Sequence, residues 1–476
     1  MAPKPSFRTE RDPLGEKPVP ATALYGIQTL RAAENFPISG LRPLPAFVGA
    51  VIWIKRSAAL THKETGRLDA RLADAVVRAA DEVLAGQHRD QFIVDVYQAG
   101  AGTSHNMNVN EVLANRANEL LGAARGSYAP IHPNDHVNMA QSTNDVIPTA
   151  LRLATLATLP SLLAALDVLS AALLAKGDAF DHIVKSGRTH LQDATPIRLG
   201  QEFRAYGRTV ARHLVKLEQA AEWLRELNIG GTAVGTGINA EREYPSLMVK
   251  YLREVTGLHL EVGKDRVQLM QSMGDVATFS GALRAYVLDL QKIANDIRLL
   301  ASGPRTGLAE IVLPAVQPGS SIMPGKVNPS IAEMVNQVCY QALGLDLTVA
   351  LAAEAGQLEL NVMMPVMAHN MVFAMTIVGN ASRVLAERCI AGIEADEAQC
   401  AYWLERSPAL VTALAPEIGY AEAAKLAKEA LATGLTVKEL VMRKGILEGA
   451  KLEEVLDLRA MTEIGVPGGK GIPAGG

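Results

Sequence analysis

The stretch from Asp275 to Leu300 reads DVATFSGALRAYVLDLQKIANDIRLL. Val276, Phe279, Leu283, Val287, Leu290, Ile293, Ile297 and Leu300 recur at steps of three and four, the spacing that lines side chains along one face of an α-helix. A second stripe runs from Gln201 to Leu227 through Phe203, Tyr206, Val210, Leu214, Leu217, Ala221 and Leu224. Further helices are expected from Thr149 to Phe180, Ile331 to Ala353 and Val366 to Gly392. Helices this long gain most of their stability from neighbours packed along their whole length. The expected fold class is therefore mainly α, around a central long-helix bundle. Part of its apolar surface is expected to face other subunits of a homo-oligomer.

The composition supports that reading. Of 476 residues, 49% are hydrophobic but only 4% aromatic. Such a chain, rich in Ala and Leu, suits packed helices better than sheets. A formal net charge of −4 with mixed signs argues against nucleic acid as the main partner. No apolar run of membrane-spanning length is read, and Met-Ala-Pro-Lys-Pro-Ser-Phe-Arg lacks the apolar core of a signal peptide. Cys339, Cys389 and Cys400 form no short-spaced metal pair, and three is an odd number. They read as buried small hydrophobes in a reducing cytoplasm.

Three domains are expected. Residues 1–142 form a mixed, mainly helical part, irregular at Arg11–Pro20 and Asn35–Pro45, with helices at Leu60–Gly86 and Glu111–Leu121. Residues 143–396 form the long-helix bundle. Residues 397–476 form a small helical part ending in a flexible Gly- and Pro-rich tail from Gly465.

Four polar, glycine-punctuated segments interrupt the helical pattern. They are Gly100–Asn106 (GAGTSHN), His136–Asp145 (HVNMAQSTND), Gly187–Asp193 (GRTHLQD) and Gly319–Pro329 (GSSIMPGKVNP). The last sets two hydroxyls, an ammonium and an amide among glycine hinges and prolines, so it reads as a surface flap. Ser320 or Ser321 would supply a nucleophile or base, and Lys326 a cation for an anionic substrate. Short neutral donors at helix N-termini join backbone N–H groups to bind carboxylates. Each segment also has a plain structural reading. Ser142-Thr143-Asn144-Asp145 serves equally as an N-cap cluster, Ser330-Ile331-Ala332-Glu333 fits a capping box, and a lone His190 is more often structural. Gly100–Thr103 is no dinucleotide fingerprint, and Pro324-Gly325-Lys326 is no phosphate loop. His132 and His136 are four apart, but Pro133, Asn134 and Asp135 oppose a helix, so no zinc pair and no catalytic metal are expected. No cofactor is expected either.

Taken together and in this order, the four segments resemble the active-site blocks of the aspartase/fumarase superfamily, over about Arg8 to Val455. The details resemble the aspartase branch: Leu14-Gly15-Glu16, Tyr25-Gly26-Ile27-Gln28-Thr29-Leu30-Arg31, Gly102-Thr103-Ser104, Ser142-Thr143-Asn144-Asp145, Glu333–Val338 and Gly356-Gln357. Two positions depart from it. Met364 stands where aspartases typically carry glutamate and fumarases lysine, and Ala415 stands where both usually carry asparagine.

The resemblance implies a three-domain fold whose central bundle forms a homotetramer, with active sites combining segments of three subunits. It implies elimination of ammonia from L-aspartate to give fumarate. Hydration of fumarate to L-malate, elimination from an N-substituted aspartate and a non-catalytic structural role are the alternatives. By the same resemblance Ser320 is the general base, and Thr103, Ser142, Thr143 and the Ser321 N–H hold the β-carboxylate. Thr189, Lys326 and Asn328 hold the α-carboxylate, Asn144 and His190 lie near the amino group, and Glu333 pairs with His190.

Overall fold

The computed structural model describes residues 6–469. Residues 1–5 of the stretch read for a signal peptide, and 470–476 of the expected tail, lie outside the described residues. Five long helices dominate: Thr143–Ala179, Leu199–Glu222, Gly274–Leu300, Ser330–Glu354 and Met364–Arg388. All eight stripe residues between Val276 and Leu300 are at most 7% exposed. Burying each such side chain contributes roughly 1.5–3 kcal/mol. The spacing of three and four thus places the core as expected, and the fold is mainly α.

The chain divides into two compact units, neither of them a single stretch of sequence. One gathers the described chain up to Ala164 with His213–Val287 and Cys339–Gly379; the other gathers Ala165–Arg212, Leu288–Val338 and the described chain from Asn380. The first holds the helices Ile27–Asn35, Pro45–Glu64, Ala70–Leu84, Thr103–Leu120 and Tyr244–Thr256. The second holds the hairpin Val184–Thr189/Gln192–Arg198 and the short helices Glu397–Arg406, Tyr420–Thr433, Val437–Arg443 and Gly449–Val455. A capping box between Thr436 and Glu439 opens one of these short helices.

Several local expectations are corrected. Arg11–Pro20 is not irregular: Phe7–Asp12 and Gly15–Pro20 pair antiparallel, with Phe7 opposite Pro20. The single helix expected over Leu60–Gly86 is two helices. Gly66 takes φ +73°, a left-handed value that ends the first, and Asp69 accepts from the Arg71 and Leu72 N–H groups to cap the second. The helix expected from Glu111 begins at Thr103. Pro133–Val137, read as opposed to helix, forms one π-helical turn, its proline in the first turn where no N–H is needed. The helix Thr143–Ala179 is long and apolar enough, by length and composition, to cross a membrane, with 44% of its most apolar window buried within the chain. Cys339, Cys389 and Cys400 are free and buried, and burial pushes each thiol up to about 12.

Candidate active site

Four candidate residues lie in the first unit, at two helix N-termini. Ala101 and Gly102 both take left-handed φ, +60° and +85°. A Cβ on Gly102 would meet Ile147 at 3.0 Å, so the turn needs glycine there. Ala101 N–H donates to Val362 O at 2.7 Å, which pins the turn. Thr103 then opens its helix exposed, while the His105 N–H of the same first turn donates to Gln98 Oε1 at 2.8 Å.

Ser142, Thr143 and Asn144 open the longest helix. Ser142 Oγ accepts from Asn144 N–H at 3.2 Å, and Asp145 Oδ1 accepts from Ser142 N–H at 2.9 Å. The N-cap reading is therefore correct as local structure, and it leaves Thr143 half-buried with its hydroxyl accepting from Asn106 Nδ2 at 3.1 Å. Asn144 Nδ2 donates to Ala233 O at 2.8 Å. Fully buried Asp145 also accepts from the Gly230 and Thr232 N–H groups, each at 3.0 Å.

Behind these residues lies a polar cluster that the sequence reading missed. Lys55 is 0% exposed, and its Nζ donates to Asn138 Oδ1 at 2.8 Å and Gln141 Oε1 at 2.9 Å. Burial pulls its ammonium down to about 7, opposed by the Asp145 charge. Burial likewise pushes Asp145 up to about 7, against the N–H groups it accepts from. One signal was available: Asn106, Asn108, Asn110, Asn115 and Asn118 fall in a single helix, and all are buried. Asparagine is a poor helix former, so five of them ask for a polar interior.

The other candidates lie in the second unit. Thr189 and His190 sit exposed at the tip of the Val184–Arg198 hairpin, where His190 and Leu191 take φ +55° and +58° in a two-residue turn. The hairpin is anchored from below. Fully buried Glu310 pairs with Arg188 at 2.8 Å and Lys185 at 3.0 Å, and Lys185 also reaches Glu202 at 2.8 Å. Burial alone would lower Lys185, but the two carboxylates outweigh it and hold the ammonium above its ordinary value.

The flap closes on itself. Gly319 N–H donates to Lys326 O at 2.9 Å, and Asn328 Nδ2 donates to Gly319 O at 2.6 Å. A Cβ on Gly319 would sit 2.2 Å from Lys326 O, so only glycine closes this loop. Within it, Ser320 Oγ accepts from the Ile322 N–H at 3.2 Å and the Met323 N–H at 3.0 Å. Ser321 and Lys326 are exposed, and the cleft that Ser320 and Lys326 line has a volume of about 380 Å³. Lys326 makes no ion pair among the described residues. Glu333 stands in the first turn of the Ser330–Glu354 helix, and no hydrogen bond or ion pair joins it to His190 among the described residues. Nor do the described residues include a cluster of three or more His, Cys, Asp or Glu side chains able to hold a metal.

A family model described as "Lyase" matches residues 15–344, and one described as "Fumarase C C-terminus" matches residues 410–463. The chain is a lyase of the aspartase/fumarase superfamily. Aspartate ammonia-lyase of Bacillus subtilis (strain 168) is 48% identical over 463 residues, covering 97% of each chain. Fumarate hydratase class II of Halobacterium salinarum is 51% identical over 464 residues, covering 97% of this chain and 98% of that one. A crystal structure of fumarate lyase:delta crystallin from Brucella melitensis, bound to cobalt, is 50% identical. It matches with a TM-score of 0.93, covering 96% of this chain and all of that one. The superfamily membership implied by the four polar segments is therefore correct.

Proposed function

We propose that this superfamily member is a carbon–nitrogen lyase, an aspartate ammonia-lyase that converts L-aspartate reversibly to fumarate and ammonia by anti elimination. The observation that carries the reading is in the flap: two backbone N–H groups donate to Ser320 Oγ. A serine hydroxyl is too weak an acid to serve as a base unless its alkoxide is stabilised. Donors already aimed at the oxygen supply that stabilisation.

The chemistry follows. Ser320 Oγ takes the proton from the carbon beside the β-carboxylate. The electron pair left behind spreads into that carboxylate, which becomes a doubly negative aci-carboxylate. Thr103, Ser142, Thr143 and the Ser321 N–H neutralise it, where donors fixed in advance are most effective. The pair then returns to form the carbon–carbon double bond, and the carbon–nitrogen bond breaks with its electrons leaving on ammonia. Thr189, Lys326 and Asn328 hold the α-carboxylate, and Asn144 and His190 orient the amino group. Glu333 would act through His190. Because ammonia leaves without an added acid, this pair orients rather than protonates. Flap closure excludes water.

In this reading the sequential parts 1–142, 143–396 and 397–476 are the domains. The long helices assemble four copies, each active site draws on three of them, and the enzyme works in the cytoplasm. The second reading, fumarate hydratase, is favoured by the 51% identical relative of that name. An assay of fumarate formation from L-aspartate and, separately, from L-malate tests both. Fumarate from aspartate, lost in Ser320→Ala with the oligomer intact, is the expected result. Fumarate from malate alone would make the chain a hydratase. No product from either would point to an N-substituted aspartate or to a structural role.

A further inference from the structure

Lys55 is a fully buried lysine in the middle of the apolar helix Pro45–Glu64, and nothing in the reaction above uses it. Its contacts are specific. The ammonium donates to Asn138 Oδ1 and Gln141 Oε1 at 2.8 and 2.9 Å. An ammonium has three donors and no acceptor, so both amides must present oxygen to it. Their NH2 groups turn the other way: that of Asn138 donates to Gln141 O at 3.1 Å, and that of Gln141 to Val137 O and Met139 O, both at 3.1 Å.

The same oxygen passes this polarity on. Asn138 Oδ1 also accepts from Asn106 Nδ2 at 3.2 Å and Asn110 Nδ2 at 3.3 Å. Asn106 therefore presents its NH2 group towards Asn138, and that same group donates to Thr143 Oγ at 3.1 Å. With its lone pair occupied from behind, the Thr143 hydroxyl keeps its hydrogen for a partner in front.

We propose that Lys55 is a positioning residue for Thr143: acting through Asn138 and Asn106, it fixes the Thr143 hydroxyl as a donor to the substrate carboxylate. The proposal rests on the reading above that Thr143 binds that carboxylate. Fixing a donor in advance matters because a hydroxyl left to rotate must be ordered on binding. Replacing Lys55 with a side chain of similar length and no charge leaves Gln141 Oε1 without its donor and takes from Asn138 Oδ1 its one charged donor, so that only the Asn106 and Asn110 NH2 groups still hold it. The segment 138–143 then repacks, and Thr143 loses its preset direction.

The test is a double-mutant cycle of Lys55→Met and Thr143→Val, read by calorimetric binding of succinate, a four-carbon dicarboxylate that carries no leaving group. Each single variant is expected to weaken succinate binding on the order of tenfold, the scale of one hydrogen bond to a charged group. The double variant is expected to be little weaker than either, because both changes remove the same interaction. Asn106→Leu breaks the relay in its middle and is expected to behave as Lys55→Met does. It keeps the test decisive if Lys55→Met does not fold. Effects that add, or a lowered melting temperature with succinate binding unchanged, would overturn the proposal while leaving the site reading intact. Unchanged binding in Thr143→Val would instead sink the site reading, and this proposal with it.

Discussion

His105 is fully buried beside Thr103 and Ser104, stacked on Phe47 with ring centroids 5.2 Å apart, and neither ring nitrogen finds a partner among the described residues. Burial, helped by the Lys55 charge, pulls its imidazole down to about 3. The unfolded chain holds a proton on this ring below about 6.5, whereas the folded protein refuses it until about 3. Between those values the unfolded state binds more protons, so folding stability falls as the pH falls, by roughly 1.4 kcal/mol per unit. His105→Leu removes the titration. Its melting temperature is expected to drop less than the wild type's between pH 7 and pH 4. Parallel acid limbs for the two proteins would refute the assignment. The burial of Lys55 was illegible in the sequence, because nothing in the helix Pro45–Glu64 says that its polar face is also covered. Thr103, Ser142, Thr189 and Ser320 stood out as candidates because glycines and prolines mark the places where the backbone must turn.

At the scale of elements, the hairpin Val184–Arg198 raises Thr189 and His190 to its tip while two of its cations, Lys185 and Arg188, pair with Glu310 and Glu202 beneath it. Taking one partner from a buried ion pair leaves the others charged and unpaired, at a cost of roughly 3–5 kcal/mol. Glu310→Gln keeps the shape and removes the charge that Lys185 and Arg188 share. Urea unfolding is expected to register that loss, and hydrogen exchange is expected to rise across residues 184–198 ahead of the long helices. Exchange unchanged in the hairpin would mean that Glu310 does not hold it. The long helices themselves were readable from periodicity, with ends that differ by up to six residues, as at Thr149 for Thr143. The N-terminal hairpin was not, since Pro18 and Pro20 argued for loop, and an edge strand of a two-stranded ribbon tolerates proline where a central strand would not. The π-helical turn at Pro133–Val137 escaped for a related reason: spacing rules built on 3.6 residues per turn do not describe it.

At the scale of the whole molecule, the long helices leave apolar side chains without cover. Tyr340, Leu347 and Leu351 are 58–59% exposed, and their spacing puts them on one face of the Ser330–Glu354 helix. Leu288 and Leu299 are 51% and 42% exposed on the Gly274–Leu300 helix. Stripes of this kind on otherwise core-forming helices are the surfaces that the proposed assembly of four copies would cover. If each active site draws its residues from different copies, one chain's Ser320 must serve another chain's Thr143. Two inactive variants then repair each other. Ser320→Ala and Thr143→Glu, the latter setting a like charge against the substrate carboxylate, unfolded together in equal amounts and refolded, are expected to regain activity that neither shows alone. For random assembly one site in four receives an intact Ser320 and an intact Thr143, so recovery should approach about a quarter of the wild-type rate. Recovery also has to vanish when the two variants are refolded apart and mixed afterwards without exchange of subunits. A mixture as inactive as its components would place both residues of each site on one chain.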